Sequence, residues 1–145
     1  MPDSAFQAES FEYFDHVADL GIRVRAPTLE RLFQTAGHAL MNWIGPEPCG
    51  GAEQEREIAL SSEDLEQLMV RWLQELLYLF QQRHQYFAGA DWRDVTASGL
   101  RATVRLRSWD DTSSESYHEV KAVTYHKLRI VREAGGWDAT VIVDI

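Results

Sequence analysis

Strict alternation of apolar and polar residues is the feature that most constrains the fold of this chain. It is clearest in residues 22–26, 100–107 and 137–145. Because successive side chains of a strand point to opposite faces, each segment predicts a strand with one buried and one wet face. Further segments predicted to be extended are residues 11–17, 55–60, 119–125 and 127–132. A glycine turn at 135–136 leads into the last strand, so the strands are expected to pair mostly antiparallel.

Two other segments follow the helical period. Apolar residues recur at helical spacing over residues 29–44, directly after Thr28, which is a suitable N-cap. A second, wider apolar stripe covers residues 65–80, and its predicted N-cap is Ser61 or Ser62. The width of that stripe indicates a helix that packs across a sheet.

Together these elements predict an α+β fold, with a mostly antiparallel sheet and two helices packed on one face. Residues 1–10 are expected to be a flexible lead-in, and residues 11–145 a single domain. Neither a repeat nor a linker divides the sequence.

The composition narrows the classes of partner. With 14 basic and 23 acidic residues the net charge is -9, so strong direct binding to nucleic acid is not expected. An acidic chain is better suited to a basic protein partner or to a cation. Cys49 is the only cysteine, which excludes an internal disulfide. Residues 65–80 are too polar to span a bilayer and the N-terminus does not resemble a signal peptide, so a cytoplasmic protein without membrane association is expected.

The sequence ends on a side-chain carboxylate beside the terminal carboxylate. Asp144 precedes Ile145, and both belong to the last predicted strand. Two neighbouring anions repel each other unless a cation, a donor or water compensates them. A third carboxylate would complete a hard-oxygen site suited to Ca²⁺ or Mg²⁺. The alternative is that both groups are solvated at an ordinary chain end.

A second candidate lies between the first two strands. Asp15, His16 and Asp19 fall within seven residues that end at Gly21, a residue able to adopt backbone conformations closed to others. Such a turn could present oxygen ligands to a metal. The alternative is a polar β-turn in which aspartate bonds its own backbone.

The third candidate segment, residues 118–126, carries a histidine at each end. On an extended strand His118 and His126 would lie roughly 26 Å apart, which excludes a shared metal unless the chain bends sharply, so zinc-type spacing is absent. The segment is either a half-buried strand with hydrogen-bonded histidines or a functional surface. Arg101, Arg105 and Arg107 form a basic stripe, predicted to be a solvated sheet face.

Several of these segments together resemble the archease family. The matching segments, in family order, are FEYFDHVADLGI at 11–22, TLE at 28–30, the helix at 64–79, EVKAVTYH at 119–126 and VDI at 143–145. They cover nearly the whole chain from Phe11 onward. Because separate motifs occur in the right order, the resemblance is specific.

This resemblance implies a fold and a function. Archeases are implied to have a strand-helix-strand-strand core with an insertion, and to be protein cofactors of the GTP-dependent RNA ligase of tRNA splicing. They are implied to promote ligase guanylylation and multiple turnover, and are therefore accessory proteins and not enzymes. One departure is Val17, where the family usually has threonine, so a hydroxyl beside the acidic turn is lost.

The resemblance also implies a metal site formed by Asp19, Asp144 and the terminal carboxylate of Ile145. A divalent ion is expected, with Ca²⁺ in a crystal and Mg²⁺ or Mn²⁺ as the alternatives. Asp15 and His16 are candidate neighbours or partner contacts of that site. Lys121 and His126 are candidates for the surface that contacts the ligase.

Two rival functions remain at this point. One is a stand-alone metal-dependent hydrolase that uses Asp19 and Asp144, with His16 recruited as the base. The other is a general chaperone or binding module without a metal.

Overall fold

The computed structural model describes residues 9–16, 19–49, 52–109 and 117–145. Val17 and most of the lead-in lie outside these ranges, as does the polar segment 110–116. The elements in chain order are β1 (Ser10–His16), β2 (Asp19–Ala26), α1 (Leu29–Ile44), β3 (Glu53–Ser61), α2 (Leu65–Arg83), β4 (Gln85–Thr96), β5 (Gly99–Ser108), β6 (Ala122–Glu133) and β7 (Gly136–Asp144).

The strands form two antiparallel sheets. The first, sheet A, has the order β1-β2-β7-β6 and joins the two ends of the described chain. The second, sheet B, has the order β3-β5-β4 and comes entirely from the middle of the chain. Sheet A with α1 is thus the core, and the segment from β3 to β5, which includes α2, is an insertion within it.

The helices lie between the sheets, because each contacts strands of both. α1 contacts β2 of sheet A and β4 of sheet B, and α2 contacts β6 and β4. The inner face of each sheet is apolar and buried. In β2 the inward residues are Leu20, Ile22, Val24 and Ala26, and in β5 they are Leu100, Ala102, Val104 and Leu106.

Two aromatic side chains hold the helices in place through hydrogen bonds from their polar atoms. The indole nitrogen of Trp72 donates to the carbonyl oxygen of Phe33 at 2.8 Å, which ties α2 to α1. The Tyr13 hydroxyl donates to the carbonyl oxygen of Ala39 at 2.8 Å and so ties β1 to the same helix. Burial of a large ring with its one polar atom bonded gains apolar contact without leaving an unpaired donor.

The α+β class, the antiparallel pairing and the two helices are confirmed. The strands, however, are divided between two sheets, and β4 is not predicted from the sequence. Two offsets in its pairing with β5, at Phe87/Gly89 and Trp92/Asp94, interrupt the alternation that reveals a strand. α1 begins after Thr28, as predicted.

The predicted N-cap of α2, Ser61 or Ser62, was wrong. The cap is Asp64, whose carboxylate accepts a hydrogen bond of 2.7 Å from the backbone amide of Gln67. Ser61 lies within β3, and the Ser62 hydroxyl donates to the carbonyl oxygen of Ala97. Ser61 thus belongs to sheet B, and the Ser62 hydroxyl bonds the turn between β4 and β5 instead of capping the helix.

Two arginines of the basic stripe of β5 pair with acids on the outer face of sheet B. Arg105 lies 3.1 Å from a carboxylate oxygen of Asp91, and Arg107 lies 3.0 Å from Glu47. Such pairs balance charge on the outer face of sheet B. Within the described residues, neither helix has the length and apolar character needed to cross a bilayer.

Replacing Asp64 with alanine tests the observed cap. We expect Asp64→Ala to lower the free energy of unfolding by about 1 kcal/mol, because the amide of Gln67 loses its partner. Ser61→Ala is the matched control and should change stability by less than about 0.5 kcal/mol. Chemical denaturation measures both. The opposite order of effects would restore the serine cap.

Candidate metal centre

The adjoining ends of β2 and β7 bring together the two predicted metal ligands. Asp19 and Asp144 are register partners in the antiparallel pairing. Directly opposed residues of such a pair share a face, with Cβ atoms about 4.5–5.5 Å apart. Both residues are half-buried. Two carboxylates, 125 residues apart in sequence, are therefore held at the distance at which they could share one ion.

The end of β7 is fixed from its other side by β6 and the residues before it. The backbone amide of Lys121 donates a hydrogen bond of 2.7 Å to the carbonyl oxygen of Asp144. The Thr124 hydroxyl donates to the carbonyl oxygen of Ile142 at 3.0 Å. Ile145 follows directly and is 38% exposed. These bonds hold the residues that precede the terminal carboxylate.

The other candidate residues lie around this pair at different positions. Asp15 is exposed and pairs with Leu20, so the register places it on the opposite face from Asp19. His16 is the register partner of Asp19 on β1, but its side chain lies outside the described part of the structure. These two residues remain predicted neighbours or partner contacts.

Lys121 directly precedes β6 and His126 lies within it, and both are exposed. The pairing of β6 with β7 is offset between Thr124 and Arg129, and Lys127 within this bulge has a φ of 51°. His126 lies in the bulge, where its backbone amide donates to the Thr124 hydroxyl at 3.2 Å. Two extended segments were predicted here from the sequence. The structure has a single strand, β6, with a bulge where the two segments meet.

His118 belongs to a different part of the molecule. Its backbone amide donates to the carbonyl oxygen of Ile44 at 2.7 Å, and its ring lies 4.9 Å from that of Trp43. Since β6 begins only at Ala122, the extended strand predicted from Glu119 starts three residues later. His118 therefore packs at the end of α1.

The face of sheet A turned away from the helices, its outer face, also carries an ion-pair cluster. Asp138 of β7 has a side chain only 7% exposed. Arg23 approaches one of its oxygens at 2.6 Å and Arg25 approaches at 3.1 Å. Arg23 lies four residues from Asp19, about 13 Å along the strand, so the cluster is separate from the aspartate pair. The sequence could not reveal it, because it depends on the register between β2 and β7.

The cluster changes the acidity of its members. Burial raises the pKa of the Asp138 carboxyl, but hydrogen bonds from Arg23 and Arg25 and their positive charges outweigh that effect. The pKa of Asp138 is therefore lowered. The hydrogen bond to Asp138, followed by its charge, raises the pKa of Arg23. The ionised forms are thus favoured in the folded protein.

Gly21 has a different role from the one predicted. It lies within β2 without a positive φ, so its conformational freedom is not what the fold uses. Instead the ring of Phe14 lies against it. A Cβ atom added to Gly21 would come within 2.2 Å of Cζ of Phe14. The glycine is needed because a ring occupies the place of its side chain.

The donor atoms at the aspartate pair suit a hard divalent cation. Carboxylate oxygens are the ligands that Ca²⁺ and Mg²⁺ prefer. Among the described residues, no group of three or more His, Cys, Asp and Glu side chains is placed to hold a metal. A site at Asp19 and Asp144 therefore depends on a third oxygen ligand from elsewhere, such as the α-carboxylate of Ile145. The metal ligands remain predictions.

The chain matches known proteins over nearly its full length. The model of the archease protein family matches residues 11–145. The protein archease of Methanosarcina mazei is 37% identical, with 96% of this chain and 98% of that protein covered. The protein archease of Pyrococcus furiosus is 34% identical, with 93% and 98% covered.

Two solved structures have the same fold. The solution structure of Methanobacterium thermoautotrophicum protein 1598 is similar with a TM-score of 0.72 and 31% identity, and covers 93% of this chain and 98% of its own. A crystal structure from Thermotoga maritima, described as an archease and possible chaperone, has a TM-score of 0.64 at 20% identity. It covers 92% of this chain and 96% of its own, and at that identity it shows the fold alone.

The ion-pair cluster predicts a pH-dependent loss of stability. We expect Asp138→Asn to lower the free energy of unfolding by about 1–2 kcal/mol at pH 7, because two hydrogen-bonded guanidinium groups lose their charged acceptor. A lowered pKa in the folded state stabilises the fold above the ordinary pKa of about 4. That contribution disappears as the pH falls through the lowered value, so the variant and wild type should converge below about pH 4.

Denaturant titrations between pH 3 and pH 7 measure this difference. Glu57→Gln is the control, since Glu57 is exposed and lies 3.7 Å from Arg93 at the surface. It should change stability by less than about 0.5 kcal/mol at any pH. A deficit in Asp138→Asn that persists unchanged at pH 3 would contradict the pKa argument.

Proposed function

The chain belongs to the archease family, and from this membership we propose that it is a metal-binding protein cofactor of a GTP-dependent RNA ligase. It would promote guanylylation of the ligase and multiple turnover, in tRNA splicing or RNA repair. It would act as an accessory protein and not as an enzyme. The observation that carries the proposal is the register pairing of Asp19 with Asp144.

The proposed cation would be held by Asp19, Asp144 and the α-carboxylate of Ile145. When bound, a divalent ion would supply positive charge to the ligase surface, where phosphate oxygens of GTP must be neutralised. The residues of this chain would position that charge at one corner of sheet A. The fixed end of β7 supports this role, since a ligand on a frayed terminus would lose conformational entropy when it binds.

The net charge of -9 supports a protein partner over direct RNA binding. An acidic surface is attracted to a basic one and repelled by a phosphate backbone. A ligase that binds RNA presents the basic surface that such a chain can approach. Lys121, whose backbone amide bonds the Asp144 carbonyl, and His126 are both exposed and are proposed to lie in the contact.

Removing either aspartate tests the cation site and the function together. We expect Asp19→Asn and Asp144→Asn each to weaken Ca²⁺ binding at least tenfold, about 1.4 kcal/mol, because a charged ligand becomes neutral. Both should also fail to stimulate the cognate ligase under multiple-turnover conditions. Asp91→Asn removes the same charge from sheet B and should behave as wild type. Calorimetric Ca²⁺ titration and a ligation time course are the measurements.

Extending the chain past Ile145 tests the third ligand. A short Gly-Ser extension converts the α-carboxylate to an amide, so we expect weaker Ca²⁺ binding and reduced ligase stimulation without loss of folding. The same extension placed at the N-terminus is the control. A C-terminally extended protein that binds Ca²⁺ and stimulates the ligase as well as the control would show that Ile145 is not a ligand.

The same reconstitution separates the rival functions. Turnover of a phosphoester substrate by the purified protein alone would favour a hydrolase that uses Asp19 and Asp144. Suppression of ligase aggregation without Ca²⁺ dependence would favour a chaperone, and the Thermotoga maritima protein is described as a possible chaperone. The cofactor proposal expects neither result.

A further inference from the structure

An apolar pair stands next to the two aspartates on the outer face of sheet A. Phe14 of β1 is the register partner of Gly21, and Gly21 is in turn the partner of Ile142 on β7. Thr124 of β6 is the partner of Ile142, so the four residues form one row across sheet A. Because Gly21 has no side chain, the Phe14 ring fills the space above it.

Ile142 is buried although its side chain points away from the helices. It is 1% exposed, yet it does not belong to the main hydrophobic core that the helices form with the two sheets. Its neighbour Gly21 provides no side-chain cover of its own. The ring of Phe14, which is itself 39% exposed, occupies the place of the missing Gly21 side chain beside Ile142.

This row is immediately adjacent to the aspartate pair. Asp19 is two residues from Gly21 on β2, and Asp144 is two residues from Ile142 on β7. Residues two apart on a strand share a face and lie about 6.5–7 Å apart. The carboxylates thus have an apolar row on one side and the end of the sheet on the other.

An apolar wall beside a metal site affects the strength of binding. It restricts the access of water and lowers the local dielectric constant, which strengthens the attraction between a cation and its carboxylate ligands. It also fixes the strand from which a ligand projects. Phe14 lies over Gly21, which follows Asp19 by two residues at the start of β2, so the ring helps to hold that end of β2 against β1.

We propose that Phe14, seated on Gly21, is a positioning residue that forms the apolar wall of the Asp19–Asp144 cation site. The proposal rests on the cation-binding function proposed above. It assigns to Gly21 the role of a seat for the ring. It also accounts for a partly exposed aromatic ring on the outer face of sheet A.

A double-mutant cycle without any cation tests the seat itself. Gly21→Ala places a Cβ atom inside the Phe14 ring, so we expect the melting temperature to fall by about 5 °C or more. In a Phe14→Ala background the clash is absent, and the same glycine substitution should cost less than about 2 °C. If the two substitutions change the melting temperature additively, the Phe14 ring does not lie against Gly21 as proposed. This arm of the experiment does not depend on metal binding.

Ca²⁺ titration of chelator-treated protein tests the wall. Phe14→Ala should weaken Ca²⁺ binding about tenfold, the usual effect of removing a group that surrounds metal ligands. Phe14→Leu keeps apolar cover and should restore affinity to within about threefold of wild type. Phe11→Ala is the matched control. Phe11 is 37% exposed on the same strand, but it lies on the opposite face of sheet A from Phe14. The control variant should bind Ca²⁺ as wild type does.

The outcomes separate this inference from the function on which it rests. If Asp19→Asn and Asp144→Asn lose Ca²⁺ binding while Phe14→Ala retains it, the role of Phe14 is overturned and the site stands. If neither aspartate variant loses binding, both proposals fail. If Phe14→Ala and Phe11→Ala lose Ca²⁺ affinity equally, the effect is a general destabilisation of β1. That result would also contradict the proposed role of Phe14.

Discussion

The antiparallel pairing of β2 with β7 is the interaction on which the rest of the molecule depends. It joins residues 19–26 to residues 137–144, across more than a hundred intervening positions. A shift of one residue would turn every β7 side chain to the other face and expose the core residues that now contact the helices. The same register sets Asp19 against Asp144 and Arg23 beside Asp138. Core, ion-pair cluster and candidate metal centre are therefore fixed by one set of backbone hydrogen bonds.

Much of this arrangement could be read from the sequence. The alternation in residues 22–26, 100–107 and 137–145 located three strands, and helical spacing located α1 to the residue. The division into two sheets could not be predicted in this way. Alternation shows that a strand has a buried face, but it does not show which strands are neighbours. That choice is made by long-range packing against the helices.

Some residues of the candidate site could likewise be predicted from the sequence, and others could not. Asp19 and Asp144 could be selected because their residue types and the family resemblance point to cation binding, and the structure makes them register partners. The part played by Phe14 could not be selected, because it depends on a ring lying over a particular glycine. Gly21 in an Asp-rich segment suggested a turn with unusual backbone angles. Its actual use is space, which only three-dimensional packing reveals.

The position of the last strand explains how a chain end could contribute to the proposed site. Terminal residues commonly fray because few contacts hold them. β7 lies inside sheet A, with β2 on one side and β6 on the other, so its residues are hydrogen-bonded in both directions. The amide of Lys121 extends that support to the carbonyl of Asp144. The backbone that leads to the α-carboxylate of Ile145 is therefore held on both sides. An edge strand would be held from one side only, so the central placement of β7 supports the proposed role of the terminus.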